Sequence, residues 1–168
     1  MSYTSPVFSD PKEIYSTLGF MATAMLEGES DWVCATANLS ALIYDLLPDL
    51  NWAGFYRVKD NQLILGPFQG KPACTRIAKG KGVCGTAWEA DCAQVVPDVH
   101  EFPGHIACDS ASNSEIVIPI HNRTGEFCGL LDIDSPILRR FSDDDLTGLL
   151  PVIAQFEKWM AEQQLNSL

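Results

Sequence analysis

Cysteine offers the most chemistry in this chain, and six are present among 168 residues. Three stand in glycine-flanked, loop-like stretches: Cys74 in GKPAC, Cys84 in GVCG and Cys108 in GHIACD. Cys34 falls in an amphipathic helical pattern and Cys128 in an apolar strand pattern, where a free thiol packs like a small hydrophobe. Cys92, beside Asp91, reads as an incidental thiol. Two readings stand for the first three. One is packing. The other is a redox relay, in which a thiolate attacks an oxidised substrate, becomes a sulfenic acid, and is resolved to a disulfide by a second thiol. A relay needs access and backbone freedom, which glycine-rich loops provide. No CxxC pair occurs, so a thioredoxin-type active site is excluded.

Carboxylates come next. Asp132 and Asp134 in LLDIDS are two apart, so in a strand they share a face of the sheet; Glu115 opens the neighbouring strand pattern. They are either a solvated strand end or a cluster in a pocket. Like charges held together raise at least one pKa, leaving a protonated acid able to give a proton to an oxygen. Sulfoxide reduction needs such an acid, because the S–O oxygen becomes basic as a thiolate attacks the sulfur. Trp52 and Tyr56 in NWAGFY, four apart in a strand, also share a face. They serve as core or as an apolar wall for a thioether methyl. His100, His105 and Cys108, with Asp98 and Asp109, would suit zinc in residue type. Cysteine pairs at two-residue spacing and a defined fourth ligand are missing, so no metal site is predicted and both histidines read as surface loop residues.

The elements that must position these residues follow from periodicity. Ser9, Asp10 and Pro11 look like a helix start, and Ile14, Leu18, Met21 and Met25 give one apolar face ending at Gly28. Asp31 can cap a second helix with the face Trp32, Ala35, Leu39, Leu42, Ile43 and Leu46, closed by Pro48. NWAGFYRV and LILGPF flank Lys59-Asp60-Asn61 as a hairpin. A short helical piece is expected around Thr86–Ala90, then a strand at AQVV. Residues 97–114 lack a period and read as an ordered functional loop. EIVIPIH and EFCGLLDID form a second hairpin around Asn122–Gly125, with Pro119 demanding a bulge or an edge. Ser142 with Asp143, Asp144 and Asp145 starts a last helix, which Pro151 should kink. The expectation is one α+β domain: N-terminal helices in 1–50, sheet and active-site loops in 51–135, and a C-terminal helix in 136–168, with terminal helices packed on a central antiparallel sheet.

The formal net charge of −11 argues against a nucleic-acid partner, since basic residues are few and scattered. The first residues lack the basic and apolar regions of a signal peptide, and no apolar run approaches the ~20 residues needed to cross a bilayer. A cytoplasmic location without membrane contact is expected. In that reducing compartment the cysteines are better read as thiols than as a disulfide framework.

Taken together, NWAGFY, GPFQGKPAC, GKGVCGTA, VVPDV, FPGHIACD, SEIVIPI and GLLDIDS resemble the free methionine-R-sulfoxide reductase family, which is built on a GAF-type domain. The resemblance runs in order from about Asn51 to Ser135. It implies that Cys108 is the attacking thiol and Cys74 its resolving partner. Cys84 is the family's third cysteine, acting as alternative partner or as the key thiol. It further implies that Glu115, Asp132 and Asp134 surround the sulfoxide oxygen and the amino group, with Trp52 and Tyr56 near the methyl. The expected activity is reduction of free L-methionine-(R)-S-oxide through a sulfenic acid and an intramolecular disulfide, recycled by a thioredoxin-like reductant, with no cofactor. The R stereochemistry and the preference for the free amino acid come from the resemblance alone; family analogy also allows a homodimer. The rivals are a ligand-binding GAF sensor and a redox sensor that forms a disulfide without turnover.

Overall fold

Apolar spacings of three and four residues build the helical layer, seen in the computed structural model, which describes residues 4–6, 8, 12–104 and 110–165. Helix α1 (Lys12–Leu26) carries Leu18, Ala22 and Leu26 at the centre of its buried stripe, flanked by Ile14, Met21 and Met25. Its predicted start at Ser9, Asp10 and Pro11 lies outside the described residues. Helix α2 (Trp32–Leu46) begins as expected. The Asp31 carboxylate accepts from the Val33 and Cys34 amides at 2.8 and 3.0 Å, satisfying two otherwise orphaned N-terminal donors. Its buried stripe includes Ala35, Leu39, Leu42, Ile43 and Leu46.

Cys34 corrects one expectation. It is exposed, not a core filler. It precedes Ala35 by one residue, and a helix turns about 100° per residue, so it falls off the stripe. Thr36 and Ser40 are buried instead, each hydroxyl donating to the carbonyl four residues back.

The sheet has six strands in the order β3-β2-β1-β6-β5-β4, with every neighbouring pair antiparallel. Strands β1 (Trp52–Lys59) and β2 (Gln62–Gly70) form the first hairpin. Asp60 and Asn61 take positive φ of 52° and 57°, the left-handed conformation a two-residue hairpin turn demands. A two-residue strand β3 (Arg76–Ile77) follows, then helix α3 (Gly82–Ala90) and strand β4 (Gln94–Val96). Strands β5 (Ser114–His121) and β6 (Phe127–Ser135) form the second hairpin. Pro119 sits where β4 no longer pairs with β5, the last β4 partner being Val117, so β5 is already an edge there. Helix α4 (Asp143–Glu162) opens on a capping box between Ser142 and Asp145, and it continues through Pro151.

The sheet separates two apolar clusters. On one face Ala53, Phe55, Ile116, Ile118, Leu131 and Ile133 share a cluster with α2 and α4, and α1 packs on those two helices. On the other face Trp52, Tyr56, Val117 and Leu130 pack against α3 and its flanking segments. The architecture is α+β, as expected. Among the described residues no helix is long and apolar enough to cross a membrane.

His121 ties the two layers together at the end of β5. Its Nε2 meets Asp91 at 2.8 Å, just past α3, and its Nδ1 meets Glu157 of α4 at 3.1 Å. Partial burial pulls the imidazole pKa down, but the hydrogen bonds to both carboxylates outweigh it, and the net shift is upward. A raised folded-state pKa gives stability that is complete below the unfolded value and lost as pH rises through the folded one. The melting temperature should therefore fall as pH rises from the ordinary imidazole range through the raised folded-state pKa, modestly at this partly exposed site. His121→Gln should flatten that slope in a thermal-melt series; an unchanged slope would show that other groups set it.

Candidate functional site

Strand register assembles the acidic cluster. Glu115 on β5 lies opposite Asp134 on β6, which in turn lies opposite Trp52 on β1. In the next row of that face, Val117 faces Asp132, and Asp132 faces Gly54. Glu115 and Asp132 are buried, at 6% and 7% exposure, and Asp134 is half-buried. Helix α3 then brings Cys84 down onto them: its Sγ and the nearest carboxylate oxygens of Glu115 and Asp132 all lie within 4.8 Å of one another.

Cys84 is not on a loop, as its glycine neighbours suggest, but in the first turn of α3, and it is buried. Its thiol hydrogen-bonds the Asp132 carboxyl, and burial, followed by the charges of Asp132, Glu115 and Asp134, pushes its pKa well up. This is a protonated thiol in the resting site, not a ready nucleophile. Burial also raises the Asp132 carboxyl. Burial, then the Asp132 and Asp134 charges, pushes Glu115 well above the ordinary carboxylate range. Like charges directly opposite in a sheet repel, and a proton on Glu115 removes that conflict with Asp134. The cluster is thus a buried proton store on the α3 side of the sheet.

The aromatic wall stands beside it. Trp52 stacks on Tyr56 with centroids 5.9 Å apart, and on Phe68 of β2 at 5.2 Å. Phe68 belongs to the wall, yet the sequence gives only a phenylalanine inside GPFQG to suggest it. Gly54 makes the wall possible: a Cβ there would lie 2.4 Å from Phe68 Cβ and 2.6 Å from the Trp52 ring. Gly54→Ala should displace one ring at a cost of about 1–3 kcal/mol. If the wall holds substrate, KM should rise about tenfold, read by steady-state kinetics with near-ultraviolet circular dichroism as the packing check. An unchanged KM with altered packing would remove the wall from binding.

Both anchor rings also hold the segment bearing Cys74. Trp52 Nε1 donates to the Lys71 carbonyl at 3.1 Å, and the Tyr56 hydroxyl donates to the Cys74 carbonyl at 2.9 Å. Burial, then the charges of Asp132, Cys84, Asp134 and Glu115, pushes the Tyr56 phenol up, so it remains a donor. Cys74 is disulfide-bonded, whereas Cys34, Cys84, Cys92 and Cys128 are free thiols. Cys108, with His105 and Asp109, lies outside the described residues. Asp98 and His100 are accounted for locally: the carboxylate caps a 3-10 turn at Val99–Glu101 and bonds the imidazole at 2.8 Å. The stretch carrying Cys108 is framed at both ends. Arg139 N donates to Pro97 O, and Asn113 N to Ser135 O, each at 2.8 Å.

An antiparallel sheet with helices on one face and a short helix over a buried acidic cluster on the other defines a GAF-type domain. A putative GAF sensor protein from Burkholderia vietnamiensis matches it with a TM-score of 0.88 at 50% identity, covering 94% of this chain and 99% of that one. The free methionine-R-sulfoxide reductase of Neisseria meningitidis, solved with its substrate, gives a TM-score of 0.91 at 38% identity, covering 97% of each chain. In sequence, the chain is 51% identical over 149 residues to the free methionine-R-sulfoxide reductase of Escherichia coli (strain K12), spanning 89% of this chain and 90% of the relative. No family model matches the chain. The chain belongs to the free methionine-R-sulfoxide reductase family.

Proposed function

We propose that the chain reduces free methionine-R-sulfoxide to methionine, with Cys108 as nucleophile and Cys74 as resolving thiol. The observation that carries this reading is one sheet face: an aromatic wall from Trp52, Tyr56 and Phe68 adjoins the carboxyls of Glu115, Asp132 and Asp134, and both wall anchors hold the Cys74 segment. A methyl thioether suits the wall, an ammonium suits an ionised carboxylate, and a sulfoxide oxygen suits a protonated one.

In this cycle the Cys108 thiolate attacks the sulfoxide sulfur while Glu115 gives its proton to the oxygen. The oxygen passes to the cysteine sulfur as sulfenic acid, and methionine leaves. The Cys74 thiol then displaces that oxygen as water and forms the disulfide; a thioredoxin-like dithiol takes up the oxidising equivalent and restores both thiols. The disulfide-bonded state of Cys74, with Cys84 a free thiol, supports Cys74 over Cys84 as the resolving residue.

The test is methionine production from each sulfoxide epimer by the reduced protein with a thioredoxin system. Methionine from the R epimer alone is the expected result. A folded, reduced protein that makes none from either epimer would return the site to ligand sensing.

A further inference from the structure

Cys84 has no step in that cycle, yet α3 sets its sulfur within 4.8 Å of the Glu115 and Asp132 oxygens. One thiolate and two carboxylates, from three different elements, is a donor set of mixed softness. All-oxygen sites suit magnesium or calcium, and sulfur-rich sites suit copper(I); a sulfur with oxygens suits zinc. Tetrahedral zinc with its usual bond lengths needs ligand atoms roughly 3.3–3.8 Å apart. These side chains are close enough to reach that by small rotamer adjustments.

A second observation points the same way. Asp132 is 7% exposed, and its Oδ1 is buried with no hydrogen-bond partner. A buried acceptor left unsatisfied is costly, and such groups often mark an absent ion or ligand. This one belongs to the carboxylate that already holds the Cys84 thiol.

We propose that Cys84, Glu115 and Asp132 form a binding site for zinc, and that zinc bound there takes the acidic cluster away from substrate. Three protein ligands leave a fourth position for water, the arrangement of an open zinc site. The cation replaces the protons held by the thiol and carboxyls, so binding releases protons to the buffer. It also occupies the acidic cluster in front of the aromatic wall. Zinc is therefore an inhibitor here and takes no part in turnover. Its binding does not depend on the reductase reading; only the inhibition does.

The test is a zinc titration of the reduced full chain against a chromophoric chelator, with cobalt(II) as the spectroscopic probe. The wild type should take up one equivalent and show a thiolate-to-cobalt charge-transfer band. Cys84→Ser should lose the band, and both Cys84→Ser and Asp132→Asn should bind zinc at least about 100-fold more weakly while retaining the native circular dichroism spectrum. The Cys34→Ser, Cys92→Ser double variant, which removes the exposed thiols, should bind as the wild type does. Cys108→Ser should also bind zinc normally, whatever its turnover, which separates failure of this site from failure of the reductase reading. Uptake unaffected by Cys84→Ser, uptake lost with the exposed thiols or with Cys108, or a cobalt complex without the band would each overturn the proposal.

Discussion

Cys108→Ser should turn over free methionine-R-sulfoxide at least about 10³-fold more slowly than the wild type. A serine hydroxyl is almost never ionised near neutral pH and cannot accept the sulfoxide oxygen, whereas a cysteine thiolate does so and becomes a sulfenic acid. The informative companion is Cys74→Ser. Without a reductant it should release one methionine per chain and stop, with the sulfenic acid trappable by a 1,3-dione; Cys108→Ser should release none. Single-turnover methionine release measures both. A methionine burst from Cys108→Ser would sink its assignment as nucleophile. A Cys74→Ser protein that cycles with thioredoxin at the wild-type rate would move the resolving role to Cys84.

Glu115→Gln should lower kcat by about 10²-fold, the lower end of what a positioned general acid contributes. Glutamine has nearly the same shape and can still hydrogen-bond, but it has no acidic proton to give. The pH profile separates this from a packing defect. Glu115 is pushed up by burial and by the charges of Asp132 and Asp134, so its acid form persists above the ordinary carboxylate range. The working form is the protonated one, so wild-type kcat should fall as pH rises through that raised pKa. In Glu115→Gln the alkaline fall should vanish along with most of the rate. An unchanged kcat in a folded variant would leave Glu115 a structural carboxyl.

The sequence was most legible where geometry is repetitive. Asp132 and Asp134 two residues apart, and Trp52 and Tyr56 four apart, do share one sheet face, because strand alternation depends only on local backbone. Asp31, Ser142 and the Asp60-Asn61 turn were readable for the same reason: each satisfies or shapes backbone within a few residues. Cys84 was not. Glycine on both sides reads as a loop, yet Gly85 serves packing, since a Cβ there would lie 2.4 Å from the Ala78 carbonyl. The glycine lets α3 start tight against that backbone, which buries the cysteine. Cys34 failed in the opposite way: its residue type suggested burial, but its phase on α2 put it in solvent. Phe68 entered the wall only through β2 register and the missing side chain at Gly54, long-range relations that a linear reading does not contain.

The hydrogen bonds from Trp52 to Lys71 and from Tyr56 to Cys74 fix more than a loop. They make the position of the Cys74 backbone a property of β1, so in the proposed cycle the resolving thiol is presented by the sheet and does not arrive by chain diffusion. Well-oriented intramolecular partners react as though present at effective molarities of about 10⁵–10⁸ M. Even a small fraction of that advantage exceeds any concentration a free thiol reaches in solution. A sulfenic acid formed within reach of Cys74 is therefore captured before a small thiol can cap it or a second oxidant can carry it on to the irreversible sulfinic state. The same two aromatic anchors would then help set how long the enzyme survives the oxidising conditions in which its substrate appears.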